Sequence, residues 1–331
     1  MNRADHQRVG FVVIGRNEGQ RLGQSLTTLR AVSDQVVYVD SGSTDGSVKL
    51  ARDLGAIAVE LDDSAPHTAA RGRNAGFHEV RERFPACEFI QFIDGDCILE
   101  PGWLESATRF LDAHPKAAIA CGRRVEAHRD ESLYNRLIDE EWNTPVGRAD
   151  ASGGDALVRA SAFEQVGGFM PELKAGEEPE MTSRLRAEGW EIWRIEAPMT
   201  IHDARIHHFG QWWTRCVRGG YGYAEVWSTT GMRPRRVFEA QLLRAFVWAL
   251  GIPLIVVTAA MLLRQPMLLL SIPAIYALQI LRIAARRGLS FPALQSAAMI
   301  MLAKLPETIG ALSYFLGQKS NRLADYKSAA E

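Results

Sequence analysis

Residues 1–8 hold no apolar core of the kind a signal peptide needs, so the domain that follows is expected in the cytosol. A basic excess is missing as well. With 38 Lys and Arg against 39 Asp and Glu the net charge is -1, which excludes a general nucleic-acid binder, and no nucleic-acid partner is expected. Cysteine is scarce, and the four present (Cys87, Cys97, Cys121 and Cys216) show no paired metal-binding spacing, which fits a reducing compartment. Acidic residues nearly vanish after Arg244, where the chain becomes strongly apolar. The remainder has globular composition, 47% hydrophobic and 23% charged, in 331 residues that allow about two domains.

The first half alternates strand-like and helix-like stretches. Val9-Gly10-Phe11-Val12-Val13-Ile14 is an unbroken apolar run, the pattern of a strand buried on both faces of a parallel sheet. It ends in the polar loop Gly15-Arg16-Asn17-Glu18-Gly19 before a helix around residues 22–29. A second strand, residues 35–39, runs into Asp40-Ser41-Gly42-Ser43-Thr44-Asp45-Gly46-Ser47, rich in turn and N-cap residues, and a helix follows over 48–54. Residues 56–61 read as a third strand and 69–84 as a helix that opens with Arg71, Arg73 and Asn74. Strand, helix, strand, helix predicts a parallel, doubly wound sheet whose strand ends meet in one crevice.

The chain is organised around Phe89-Ile90-Gln91-Phe92-Ile93-Asp94-Gly95-Asp96-Cys97, a buried strand that runs straight into two aspartates. Gly95 frees the backbone between them, so both carboxylates can turn toward one hard cation such as Mg²⁺ or Mn²⁺. An Asp-Gly pair also makes an ordinary turn. Glu18 and Asp40 at the two preceding strand ends favour the site. Arg73, just inside a helix start, suits an anion such as phosphate.

Four segments together resemble the family 2 glycosyltransferases: Val13-Ile14-Gly15-Arg16-Asn17-Glu18, Val39-Asp40-Ser41-Gly42-Ser43-Thr44-Asp45-Gly46-Ser47, Ala70-Arg71-Gly72-Arg73-Asn74-Ala75-Gly76 and Asp94-Gly95-Asp96. The resemblance covers about the first two hundred residues. It implies a GT-A (Rossmann-like) fold, a nucleotide-sugar donor with UDP and GDP left open, Mn²⁺ or Mg²⁺, and inversion at the sugar carbon. By the same resemblance Arg16, Glu18, Asp40, Arg73 and Asp94 bind the donor, and Asp96 serves the metal-diphosphate. Ile14 stands where the family often has proline, and Val39 where it often has a further aspartate.

A helix over 103–111 and a strand over 117–122 follow. In Gly153-Gly154-Asp155, the paired glycines allow a close backbone approach, and Asp155 is a candidate contact to donor sugar or acceptor. Gly176-Glu177-Glu178-Pro179-Glu180, with Arg184 beyond it, resembles the family's acidic catalytic segment, Glu178 standing where aspartate is usual. That makes Glu178 the expected general base, with Glu177 and Glu180 supporting it. Acids in a helix's first turn are also favoured by the dipole alone. His202, His207 and His208 lie in one short span; His202 is the expected further metal ligand, with the other two left open. The aromatic and basic stretch 211–225 suits either a lid or a juxtamembrane anchor.

Residues 245–263 are free of charge and long enough to cross a bilayer, and 267–281 form a shorter apolar run after the Arg264-Gln265-Pro266 link. Arg233, Arg235 and Arg236 precede the pair and Arg282, Arg286 and Arg287 follow it, so both outer ends are expected on the cytosolic side of the inner membrane. The expected organisation is a GT-A domain over 1–225, a juxtamembrane linker over 226–243 and a membrane region over 244–331. That region holds helices near 245–263 and 266–282 and an interfacial helix near 291–316, interrupted by Lys304, Pro306 and Glu307. The expected function is membrane-attached sugar transfer from a nucleotide sugar to a sugar or lipid-linked acceptor in cell-surface polysaccharide or glycolipid synthesis. Two alternatives are a metal-dependent nucleotidyltransferase, against which the lack of a Gly-rich basic loop after the first strand speaks, and a non-catalytic nucleotide-sugar-binding scaffold, against which the acids speak. The Gln-x-x-Arg-Trp segment of the processive synthases is not matched by Gln211-Trp212-Trp213-Thr214-Arg215, which favours single-sugar transfer.

Overall fold

The computed structural model describes residues 7–230 and 236–317. The chain divides into two units, residues 1–207 and 208–331. The expected boundary at 225/226 lies inside a helix, and two of the arginines cited for orientation, Arg233 and Arg235, lie outside the described residues.

In the first unit the apolar run becomes β1 (Val9–Gly15), followed by α1 (Gln20–Arg30), β2 (Val36–Asp40), α2 (Ser47–Asp53), β3 (Ile57–Glu60), α3 (Ala69–Arg83) and β4 (Phe89–Asp94). β1 pairs in parallel with β2 on one side and β4 on the other, and β2 pairs with β3. Val9, Phe11, Val12 and Val13 are fully buried, as an inner strand covered on both faces requires. Register then fixes the crevice: Gly15 sits opposite Asp40, and Ile14 opposite Asp94. Thr68 caps α3 by accepting from the Arg71 N–H at 3.1 Å.

The parallel half ends at β4. Beyond it come β5 (Cys97–Leu99), α4 (Trp103–Ala113), β6 (Ala117–Glu126), α5 (Leu133–Trp142), β7 (Gly147–Ala149), β8 (Ala156–Arg159), α6 (Ala160–Gln165), α7 (Glu177–Ala187) and β9 (Glu191–His202). The nine-stranded sheet runs β3-β2-β1-β4-β8-β6-β9-β5, with β7 on β9. β8 is antiparallel to β4 and β6, and β5 is antiparallel to β9, so the sheet is mixed rather than wholly parallel. β9 does not read as a strand in the sequence because Pro198 interrupts it. The fold accommodates that proline at register shifts in the β6–β9 pair, around Cys121, Arg123 and Arg124.

In the second unit α8 (Phe209–Thr229) packs against α12 (Lys304–Phe315) through Gly220, Ala224 and Ala311, all buried. The apolar run forms α9 (Glu239–Leu262), with a π-turn over Val247–Gly251, and α10 (Pro266–Ala285); their mean hydropathies are 2.3 and 1.8. Leu254, Ile255, Met261, Met267 and Leu278 are exposed, so among the described residues most of the apolar surface of these helices is left uncovered, although Leu242, Ala245, Ala260 and Ala284 are buried. The expected interfacial helix is two helices, α11 (Phe291–Leu302) and α12, that meet at Ala303. Lys304 and Glu307, the charges that interrupt the apolar pattern, pair at 2.6 Å.

Candidate active site

Arg73 is the hub. It lies in the first turn and a half of α3, and α3 comes close to β1 because Gly76 faces Val12, where a β-carbon would lie 2.3 Å from Val12 Cγ1. The guanidinium is buried. Its Nη1 donates to Glu177 Oε1 at 2.6 Å and lies 3.3 Å from Glu178 Oε1, while Nη2 donates to Asp94 Oδ1 at 2.9 Å. Burial opposes this charge, but Asp94, Glu178 and Glu177 outweigh it and hold the proton more firmly than usual.

A second arginine closes the other side of Asp94. Arg124 Nη2 donates to Asp94 Oδ2 at 3.2 Å, and its Nε lies 3.6 Å from Asp155 Oδ2. The guanidinium stacks 4.5 Å over the Trp142 ring. Burial would raise the Asp94 pKa, yet Arg73 and then Arg124 outweigh it and the group stays ionised below the usual range. Asp155 is fully buried and braces Asp94 from behind: it accepts from the Asp94 N–H at 3.0 Å and the Thr200 hydroxyl at 2.7 Å.

Glu177 and Glu178 open α7, where the dipole favours acids. Glu180 anchors the helix instead, paired at 2.6 Å with Arg184, which also donates to the Val166 and Gly168 carbonyls. Glu178 differs from its neighbours. Burial, reinforced by Glu177, pushes its carboxyl up to about 7 against the pull of Arg73. Gly154 faces this knot: a β-carbon there would lie 2.4 Å from Arg73 Nη2 and 3.2 Å from Glu178 Oε1. The doublet Gly153-Gly154 thus marks a close approach.

Asp96, past the turn, points elsewhere. Its Oδ2 lies 3.5 Å from His202 Nε2 and 4.0 Å from Arg21 Nη1. Arg21 also pairs with Glu18 at 2.6 Å and donates to the Asp203 carbonyl at 3.1 Å. A cavity of about 160 Å³ opens here, lined by Arg21, Asp96, His128, His202 and Asp203 among others. Donor atoms of Asp96, Cys97 and His202 lie within 4.8 Å of one another. Burial pushes the Cys97 thiol well up, which keeps it a neutral, poor ligand. The remaining oxygen and nitrogen suit Mn²⁺ or Mg²⁺, since two ligands about 2.1 Å from one octahedral cation stand roughly 3 Å apart. His207 and His208 are exposed, and His208 caps α8.

Asp40 is buried at its strand end, and its carboxylate shapes its own loop. It accepts from Tyr38 Oη at 2.7 Å and from the N–H groups of Gly42 at 2.9 Å and Ser43 at 2.7 Å. Arg16 is exposed on the neighbouring loop, where Asn17 accepts from the Thr44 N–H at 2.8 Å. Sequence reasoning missed Arg21, Arg124, Glu126 and Trp142. Arg124 and Glu126 fall past the expected strand end at 122, on the irregular part of β6.

Residues 11–167 match the Glycosyl transferase family 2 model. Glycosyltransferase AglE of Haloferax volcanii is 26% identical over 223 residues, 63% of this chain and 68% of that protein. Pre-mycofactocin glycosyltransferase of Mycobacterium tuberculosis is 29% identical over 60% of this chain and 43% of its own length, so the chain spans less than half of that relative. The mannosyltransferase PcManGT from Pyrobaculum calidifontis, solved in complex with GDP-Man and Mn²⁺, superposes with a TM-score of 0.59 at 17% identity, over 94% of this chain and 88% of that one. The chain carries a family 2 glycosyltransferase domain on a GT-A-type fold.

Proposed function

We propose that the protein is a membrane-attached, inverting glycosyltransferase that takes a sugar from a nucleotide-sugar donor, with Glu178 as general base and a divalent cation held by Asp96 and His202. The observation that carries it is the pair of unlike carboxylates around Arg73: Asp94 kept ionised and Glu178 raised to about 7, the separation expected of groups with different duties. Glu178 takes the proton of the acceptor hydroxyl as its oxygen attacks the anomeric carbon, and the diphosphate leaves with the bonding electrons from the opposite face. A cation at Asp96 and His202 would neutralise that leaving group. The Nε–H group of Arg73 is buried without a hydrogen-bond partner, a donor suited to an anionic donor molecule. Arg16, Glu18 and Asp40 then act at the nucleoside end, Glu18 through Arg21 and Asp40 through its loop, while Asp155 acts through Asp94.

The complex of PcManGT with GDP-Man and Mn²⁺ supports a nucleotide-diphosphate sugar and a metal for this fold. The exposed, apolar α9 and α10 support membrane attachment as a hairpin. The arginines outside both ends of the pair support placing the catalytic unit in the cytosol, where it would meet an acceptor at the membrane, lipid-linked acceptors included. Sugar release from a panel of UDP- and GDP-sugars, with Mn²⁺ and with chelator, is the test. Transfer from one donor that chelator abolishes, and that Asp96→Ala abolishes in a folded protein, is expected. Undiminished release by Asp96→Ala in chelator sinks the metal reading.

A further inference from the structure

We propose that Glu126 is the positioning residue of the cation site: it selects the Nδ1–H tautomer of His202 and thereby turns the Nε2 lone pair toward Asp96. The inference rests on the reading of Asp96 and His202 as cation ligands.

The sheet builds the arrangement. At its end β9 lies between β5 and β6, and register sets His202 opposite Cys97 on one side and Glu126 on the other. The Glu126 side chain has no exposed surface. Among the described residues its oxygens meet donors: the Ala204 N–H at 3.1 Å from Oε2 and 3.3 Å from Oε1, and the His128 N–H at 3.3 Å from Oε1. The remaining contact is His202 Nδ1, 3.3 Å from Oε2. A carboxylate can only accept, so the nitrogen facing it must carry the hydrogen. In the neutral imidazole that leaves a lone pair on Nε2, which faces Asp96 Oδ2 across 3.5 Å. Two electron-rich atoms directed at each other repel unless a positive charge lies between them, either a second proton on His202 or a metal cation, and a shared cation takes that position by displacing the proton. Trp142 fixes the ring plane, edge to face at a centroid distance of 4.7 Å. A buried carboxylate behind a ligating imidazole is a general device for orienting it and raising its basicity.

The substitution Glu126→Gln separates this role from simple packing. Gln keeps the volume but has one acceptor. The backbone N–H groups of His128 and Ala204 draw its oxygen to the Oε1 position and leave its NH₂ against His202 Nδ1. That inverts the tautomer and places a hydrogen on Nε2, where a cation cannot bind. The experiment uses the full chain in detergent, labelled with ¹⁵N-histidine, with the tautomer read by long-range ¹H–¹⁵N correlation and the affinity for Mn²⁺ alone by paramagnetic resonance of the free ion. The wild type is expected as Nδ1–H, Glu126→Gln as Nε2–H, with Mn²⁺ affinity lowered roughly 10–100-fold. Wild-type His202 in the Nε2–H form overturns the inference without any variant. Unchanged Mn²⁺ affinity in Glu126→Gln, where His202→Ala loses it, overturns it and leaves the metal reading standing. If neither His202→Ala nor Asp96→Ala changes Mn²⁺ affinity, the metal reading fails and the inference falls with it.

Discussion

Glu178 and Asp94 are carboxylates bonded or close to the same guanidinium, yet they titrate apart because their second partners differ. Asp94 has Arg124 as well, whereas Glu178 has burial and the like charge of Glu177. In its proposed role as base Glu178 must be deprotonated, so activity is expected to rise with pH through about 7 and to level off above it. Glu178→Gln should lower turnover on the order of 10²–10⁴-fold and remove that limb, with donor affinity near the wild type. A pH–rate profile and a donor titration of the variant check both. The raised pKa also has a stability sign: the native state binds this proton more tightly than the unfolded chain. The contribution is full below about 4.5 and is lost as pH rises through about 7. Denaturant midpoints of Glu178→Gln should therefore fall less than those of the wild type across that window. Gly154→Ala belongs to the same scale. Its methyl would sit 2.4 Å from Arg73 Nη2, so the knot must open, at a cost of about 1–3 kcal/mol in unfolding and with weakened donor binding.

At the scale of elements, the α8–α12 pair is set by glycine. A β-carbon at Gly220 would lie 1.9 Å from the Glu307 carbonyl oxygen, and one at Gly310 would lie 1.9 Å from that of Val217. Backbone cannot yield as a side-chain tip can, so Gly220→Val or Gly310→Val is expected to part the helices and lower stability by about 3 kcal/mol. Thermal unfolding in detergent reads it, and a control at Gly210, where a β-carbon meets nothing within 4 Å, should stay near the wild type. The carboxyl ends of β1, β2 and β4 are legible in the sequence because each is a long apolar run that stops at a polar loop. β9 is not, because it contains Pro198.

At the scale of the whole molecule, α9 and α10 leave large apolar side chains exposed among the described residues, and Arg264 and Gln265 lie between them. If they cross as a hairpin with cytosolic ends, the full chain should sediment with membranes and require detergent. Gln265→Cys, in a background where Cys216 is serine, should react with a membrane-impermeant thiol reagent added outside intact cells. Lys49→Cys in the first unit should be protected until the cells are opened. Labelling of Lys49→Cys from outside would reverse the orientation.

What the sequence by itself determined is the part of the protein built from local signals. Apolar runs, broken in β4 by Gln91, specified β1, β2 and β4, and charge-free stretches specified the middles of α9 and α10, because solvent alone decides where such stretches can go. The acids at the strand ends, Glu18, Asp40, Asp94 and Asp96, follow from the same runs. What only the tertiary structure decided is which of those acids meet one another. Asp94 and Asp96, two residues apart, face different partners, Arg73 and Arg124 for one and His202 for the other. Glu177 and Arg73, more than a hundred positions apart, share a hydrogen bond. The residues that aim the site, Arg124, Glu126 and Trp142, carry no motif of their own. Arg124 and Glu126 stand where they do because β6 shifts register against β9. That shift is a property of two strands brought together, and neither strand encodes it alone.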